Sequence, residues 1–192
     1  MEIVSYILSG LSLALLIAAS LMKGTRIKLI LSFVFSANML IAINYLISNE
    51  LNGAVTCFIG AVLTIINYFF SCKNKNVPLW LTIIYAIVFA GVNIMVSDKF
   101  SYPGIFVIIA ALAFVMGITQ KNGKGFRFWT VLNALCWCSY DLLTKLYPLL
   151  IQHFAHFLFT ILGMVMHDLK KNTEANKIVK SFSRKVPVEP RL

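Results

Sequence analysis

Residues 23–75 read KGTRIKLILSFVFSANMLIAINYLISNELNGAVTCFIGAVLTIINYFFSCKNK. Two long apolar runs lie here between three short polar gaps, and the gaps differ in charge. Lys23, Arg26 and Lys28 open the stretch, Glu50 alone separates the runs, and Lys73 and Lys75 close it. A chain folding in water has no cause to sort charge by the parity of its segments. A chain threaded back and forth through a bilayer does, because cytoplasmic loops retain Lys and Arg.

The alternation extends outward in both directions. Of 17 Lys and Arg residues, only Lys99 and Lys145 fall in the alternate gaps, beside Glu2, Glu50, Asp98 and Asp141. Lys121, Lys124 and Arg127 share the parity of the quoted basic gaps, as do Lys170, Lys171, Lys177, Lys180, Arg184, Lys185 and Arg191. Seven apolar runs result, at about 3–22, 27–47, 50–71, 78–97, 102–119, 126–147 and 148–167. Runs of this length cross a hydrocarbon core of roughly 30 Å at 1.5 Å per helical residue. A barrel strand would be about ten residues of alternating polarity, which these runs are not. The expected fold is an all-α membrane protein with seven transmembrane helices, amino terminus outside and carboxyl terminus in the cytoplasm.

Composition agrees. At 59% hydrophobic and 12% charged, the 192-residue chain lacks the polar residues to cover a soluble globule. The net charge of +10 borders helix ends, so the expected partner is the lipid bilayer and no nucleic acid. Pro78, Pro103 and Pro148 each stand at the start of a run, where a missing N–H costs a helix nothing. Cys57, Cys72, Cys136 and Cys138 lie in or beside apolar runs and are expected to be inert thiols, with no disulfide framework. No cleavable signal peptide is expected, since Glu2 precedes the first run and the basic cluster follows it. Residues 170–192 form a basic cytoplasmic tail.

An odd number of spans has a structural use. An offset of 95 positions lays Asn133 on Asn38, Tyr140 on Tyr45 and Phe128 on Phe33, and the second and third runs on the sixth and seventh. Residues 1–169 then divide into a three-helix bundle at about 3–71, a linker helix at about 78–97 and a second bundle at about 102–169. Two parallel bundles and a linker build a central pathway on an axis normal to the membrane.

The stretch Leu132-Asn133-Ala134-Leu135-Cys136-Trp137-Cys138-Ser139-Tyr140-Asp141 is followed by a short turn and an apolar helix ending His167-Asp168-Leu169-Lys170. With the companion stretch from Asn38 to Tyr45 and Gly53-Ala54 after it, it resembles the YgjV-type bacterial inner-membrane proteins. That family is similar to a wider group with 3+1+3 helices, the SWEET sugar facilitators and the PnuC vitamin transporters. The resemblance implies a bacterial inner (plasma) membrane location and movement of a small solute by alternating access. It does not carry over the helix-interior prolines of the SWEET hinge or a Pro-Gln pair, for this chain has neither.

Ionisable residues inside a span cost about 2.5–3.5 kcal/mol on insertion scales, so each needs a reason. Asp141 lies about 9 Å below the outer end of its run at helical rise. Lys145 at i+4 offers a structural role, an ion pair reaching to the interface; a cation-coupling or substrate-binding carboxylate is the functional one. Asn133, Trp137, Tyr140 and Asp141 share a helical face, an amide and an acid beside aromatics, which suits a polar, ring-bearing solute. Asn38 and Tyr45 are their counterparts in the first half. Intramembrane Asn also serves as packing adhesion between helices. His153 and His156, at i and i+3, bond neighbours or hold a proton or solute, and without a third ligand they make no metal site. The candidate solute site is thus Asn38, Tyr45, Asn133, Trp137, Tyr140, Asp141, His153 and His156, with no metal and no cofactor. Asn67 and Asn93 rank below these because they lie toward helix ends.

No phosphate loop, His-Glu-x-x-His or Gly-x-Ser-x-Gly occurs, so neither ATP use nor hydrolytic chemistry is expected. The expected function is a small-solute transporter or facilitator, for a sugar-, vitamin- or nucleoside-like solute, and not an enzyme. The rival is a membrane sensor or assembly protein acting through its basic tail. Partners are the bilayer and a small polar solute, and a homo-oligomer is compatible with either reading.

Overall fold

The structure is a computed structural model that describes residues 2–96 and 102–169. It contains seven α-helices: α1 (Glu2–Leu21), α2 (Ile27–Ile47), α3 (Leu51–Cys72), α4 (Leu79–Val96), α5 (Tyr102–Ile118), α6 (Gly123–Leu143) and α7 (Tyr147–Met164). A π-helical turn, Val165–Leu169, prolongs α7. There is no strand among the described residues. The basic tail, Asp98 and Lys99 lie outside the described residues.

The helix ends follow from local chemistry. Asn49, Asn74 and Lys145 take left-handed φ values of 58°, 52° and 60° after α2, α3 and α6. At each, the next amide reaches back to a carbonyl in the last turn: Glu50 to Tyr45, Lys75 to Phe70 and Leu146 to Asp141. Orphan carbonyls are thereby satisfied and the chain reverses within a few residues. At the start of α6, the Asn122 carboxamide accepts from the Gly125 amide at 2.8 Å.

Five helices, α1, α2, α3, α4 and α7, are long and apolar enough to cross a membrane. At 17 residues α5 is slightly shorter, and α6 contains Lys124, Arg127 and Asp141. The polarity of the molecule is inverted relative to a soluble protein. Leu79, Met95, Ile3 and Ile87 are among many large apolar side chains on the outside, whereas Ser12, Asn44, Thr64, Gln152 and Thr160 are buried. In lipid this is the stable distribution, because polar groups have partners only within the protein.

Neighbouring helices close a cycle: α1 with α2, α2 with α3, α3 with α5, α5 with α6, α6 with α7, and α7 with α1. The fourth helix stands outside that cycle, against α3 and α5. Its buried residues, Tyr85, Phe89 and Asn93, form one stripe at four-residue spacing. Asn93 accepts from the Thr56 hydroxyl, and the Tyr85 hydroxyl donates to Asn67, so two asparagines ranked low from the sequence hold α4 in place.

Candidate functional site

Tyr45 in α2, Asp141 in α6 and His153 in α7 meet at the centre of the cycle. The Tyr45 hydroxyl donates to Asp141 Oδ1 at 2.6 Å, and His153 Nδ1 lies 2.6 Å from Asp141 Oδ2. Since a carboxylate only accepts, an ionised Asp141 requires the Nδ1–H tautomer or imidazolium at His153. All three residues are buried, Asp141 fully. The expected structural role for this carboxylate is corrected here: Lys145 is exposed in the turn beyond α6, and Asp141 pairs with His153. The left-handed φ at Lys145 takes it off the helical path, so the i+4 spacing no longer places it over Asp141.

Aromatic rings enclose the pair. Trp137 stacks on His153 with ring centres 5.6 Å apart and an interplanar angle of 16°. It also lies 5.4 Å from the Tyr45 ring and 5.5 Å from the Tyr140 ring, the latter edge-on at 88°. Tyr140 donates to Glu50 Oε2 at 3.1 Å, which ties α6 to the α2–α3 turn. Gly53 makes room for Tyr45, since a Cβ there would sit 2.7 Å from its ring. Low polarity around a hydrogen-bonded acid strengthens each of these bonds.

Beside this cluster lies a cavity of about 40 Å³ lined by Asn38, Asn133, Trp137, His153 and His156, with Cys57 and Thr130. That is room for on the order of one or two water molecules. Asn38 Nδ2 is buried with no hydrogen-bond partner among the described residues. Asn133 Nδ2 donates to the Ala110 carbonyl at 2.8 Å, the adhesive role open to an intramembrane asparagine. His156 Nε2 lies 3.2 Å from Ser20 Oγ, which is 3.0 Å from Thr160 Oγ1. Because Thr160 donates to the His156 carbonyl, and each hydroxyl has one hydrogen, the set is satisfied when His156 donates to Ser20 and Ser20 to Thr160.

The eight candidate residues are therefore contiguous. Five line the cavity, while Tyr45, Tyr140 and Asp141 adjoin it through Trp137 and His153. Other polar residues were not singled out from the sequence. Ser5, Ser9 and Ser12 form a stripe on α1 that bonds Asn44 of α2 and Gln152 of α7. Their spacing of four and three residues was a readable signal, weak because serine is small and common in membrane helices. Arg127 carried the opposite signal, since it counts as a loop charge when only charge parity is considered. It is 1% exposed in α6, where its Nε donates to the Ser20 carbonyl at 2.9 Å and Nη1 to both Asp168 oxygens at 3.0 and 3.1 Å. Nη2 donates to the Met22 carbonyl, and His167 Nε2 to the Leu21 carbonyl at 2.9 Å. Three carbonyls at the end of α1 are thus satisfied from α6 and the turn after α7. Among the described residues, no group of three or more His, Cys, Asp or Glu side chains is placed to hold a metal ion.

No family model, curated protein or solved structure matches this chain.

Proposed function

We propose that the chain is a bacterial inner-membrane transporter or facilitator for a small polar, ring-bearing solute, working by alternating access without ATP. The observation that carries this reading is the buried Asp141–His153 pair, roofed by Trp137, Tyr45 and Tyr140 and set beside a cavity with an unpartnered Asn38 amide. An ionisable pair inside a membrane bundle is retained against its insertion cost where it serves a solute or proton path. Aromatic faces and an amide donor supply the stacking and directional bonds that such a solute needs. A cavity of about 40 Å³ is too small for a sugar or nucleoside, so in this reading solute entry requires the helices to part.

The cycle of helices supports a division into two three-helix halves. The halves α1–α3 and α5–α7 meet along two seams, α3 with α5 and α7 with α1, and a two-fold exchange of the halves maps one seam onto the other. The linker is α4. All seven helices are spans in this reading, because α6 shields Arg127 and Asp141 inside the protein. Charge parity supports an external amino terminus and a cytoplasmic carboxyl terminus. The resemblance to YgjV-type proteins and their 3+1+3 relatives points the same way.

The test is a thermal-shift screen of purified protein against sugars, vitamins, nucleosides and amino acids, with flux in proteoliposomes for each hit. Stabilisation of the wild type, absent from an Asn38→Ala, Asn133→Ala double variant, is the expected result. If no class stabilises the protein or crosses the vesicle, the transport reading fails and the rival gains, a membrane sensor acting through residues 170–192.

A further inference from the structure

A second concavity lies at the end of the molecule where the α1–α2, α3–α4 and α5–α6 connections gather. It has a volume of about 760 Å³, within the range of small-molecule sites. Arg26 and Lys28 enter from the start of α2, Lys75 from the α3–α4 connection and Lys121 from the α5–α6 connection. Among the described residues, no acid is in its lining. Asp168 is engaged by Arg127, so it is not a counter-charge in reserve. Three separate connections thus bring four exposed cations to one hollow, a concentration of positive charge that attracts an anion.

The remaining lining defines which anion. Asn74 and Asn76 are amide donors, and Thr25 and Ser71 add hydroxyls. The Thr119 hydroxyl instead donates to the Val115 carbonyl, and the Gln120 amide to the Met116 carbonyl. No side chain caps the start of α2. The Arg26, Leu29 and Ile30 amides are taken by the Lys23 and Arg26 carbonyls, and the helix dipole favours negative charge at this end. An arginine fork, point-charged lysines and neutral donors around one space suit a group with several anionic oxygens. Leu31, Val77 and Ile118 supply apolar lining alongside the basic residues. Asn67, also in the lining, is committed to the Ile118 carbonyl and the Tyr85 hydroxyl, and so belongs to the wall.

We infer that this cleft binds a phosphoryl anion, supplied either by an anionic lipid headgroup or by a free phosphorylated molecule. The cleft abuts the central cavity at Ile118, which lines both, and its charge makes the inference independent of the transport reading. Basic hollows between helices at a membrane surface are suited to phosphate headgroups.

The test uses the purified full-length chain in neutral detergent at constant ionic strength. One arm adds phosphatidylglycerol with phosphatidylcholine as the zwitterionic comparison, and the other adds inorganic pyrophosphate. The variants are Arg26→Gln with Lys75→Gln and Lys121→Gln, and a control triple of Lys23→Gln, Lys73→Gln and Lys124→Gln, which removes three basic residues outside the lining. Saturable thermal stabilisation of the wild type in at least one arm is expected. Its affinity should fall at least about tenfold in the cleft triple and stay near wild type in the control. Stabilisation by phosphatidylglycerol alone identifies a lipid headgroup, and stabilisation by pyrophosphate identifies a free phosphoryl ligand. The single exposed change Asn76→Asp, which places an acid in the cleft, should reproduce the loss if the triple folds poorly. No saturable stabilisation in either arm, or equal loss in both triples, overturns the assignment.

Discussion

Asp141 Oδ1 accepts from the Tyr45 hydroxyl at 2.6 Å and Oδ2 lies 2.6 Å from His153 Nδ1, with all three side chains buried in the bundle. Asp141→Ala leaves both donors unsatisfied and should cost about 3–5 kcal/mol of stability, measured by reversible unfolding in mixed micelles. Asp141→Asn keeps the shape and one acceptor, so a smaller loss of about 1–2 kcal/mol is expected, together with loss of solute binding. Lys145→Ala should change stability by less than about 0.5 kcal/mol, because that side chain is exposed beyond α6. Equal destabilisation by the Lys145 and Asp141 changes would restore the i+4 ion pair and remove the site. Asn38 provides the complementary case. Its Nδ2 has no partner to lose, so Asn38→Ala should leave the unfolding curve in place while abolishing solute-induced stabilisation.

The end of α1 shows how an element depends on residues far along the chain. Arg127 and His167 satisfy carbonyls at Ser20, Leu21 and Met22, and Gly163 allows α7 to approach so closely that a Cβ there would collide with the Ser20 carbonyl. Lysine in place of Arg127 keeps the charge but cannot reach two carbonyls and a bidentate carboxylate from one planar fork. Arg127→Lys should therefore destabilise by about 1–3 kcal/mol and raise hydrogen exchange at the amides of α1's last turn relative to those of α3. Uniform exchange across both helices would mean that the guanidinium does not cap α1. Gly163→Leu should push α7 from α1 and give a larger loss still, read by the same exchange measurement. The prolines at 78, 103 and 148 marked three helix starts in the sequence. The sixth run, expected at 126–147, is instead Gly123–Leu143. Lys145 turns left-handed and ends it early, so Asp141 lies in the last turn and not about 9 Å inside.

At the scale of the whole molecule, the α1–α7 seam closes the cycle of helices, and Ser20 and Thr160 face each other across it at 3.0 Å. With the native cysteines replaced, Ser20→Cys with Thr160→Cys should cross-link on mild oxidation in membranes, seen as a mobility shift reversed by reductant. If transport proceeds by parting the halves, the oxidised form should show no flux and the reduced form should recover it; undiminished flux in the cross-linked form would remove this seam from the mechanism. The sequence by itself determined the helical class and the approximate positions of the helices, and charge parity supplied an expectation for the number and direction of the spans. Those features depend on hydrophobic length, on backbone caps and on charge parity, all of which act over a few neighbouring residues. It also named the polar residues that repay attention, since charge and amides in an apolar run are conspicuous. The pairing of those residues was decided only by tertiary structure. Asp141 had Lys145 four residues away and took His153 from the next helix, and Arg127 looked like a loop charge until α1 and Asp168 closed around it. Within lipid a buried polar group not satisfied on its own helix must find its partner on another. Which helix lies alongside depends on packing between segments from 12 to 107 residues apart in these cases.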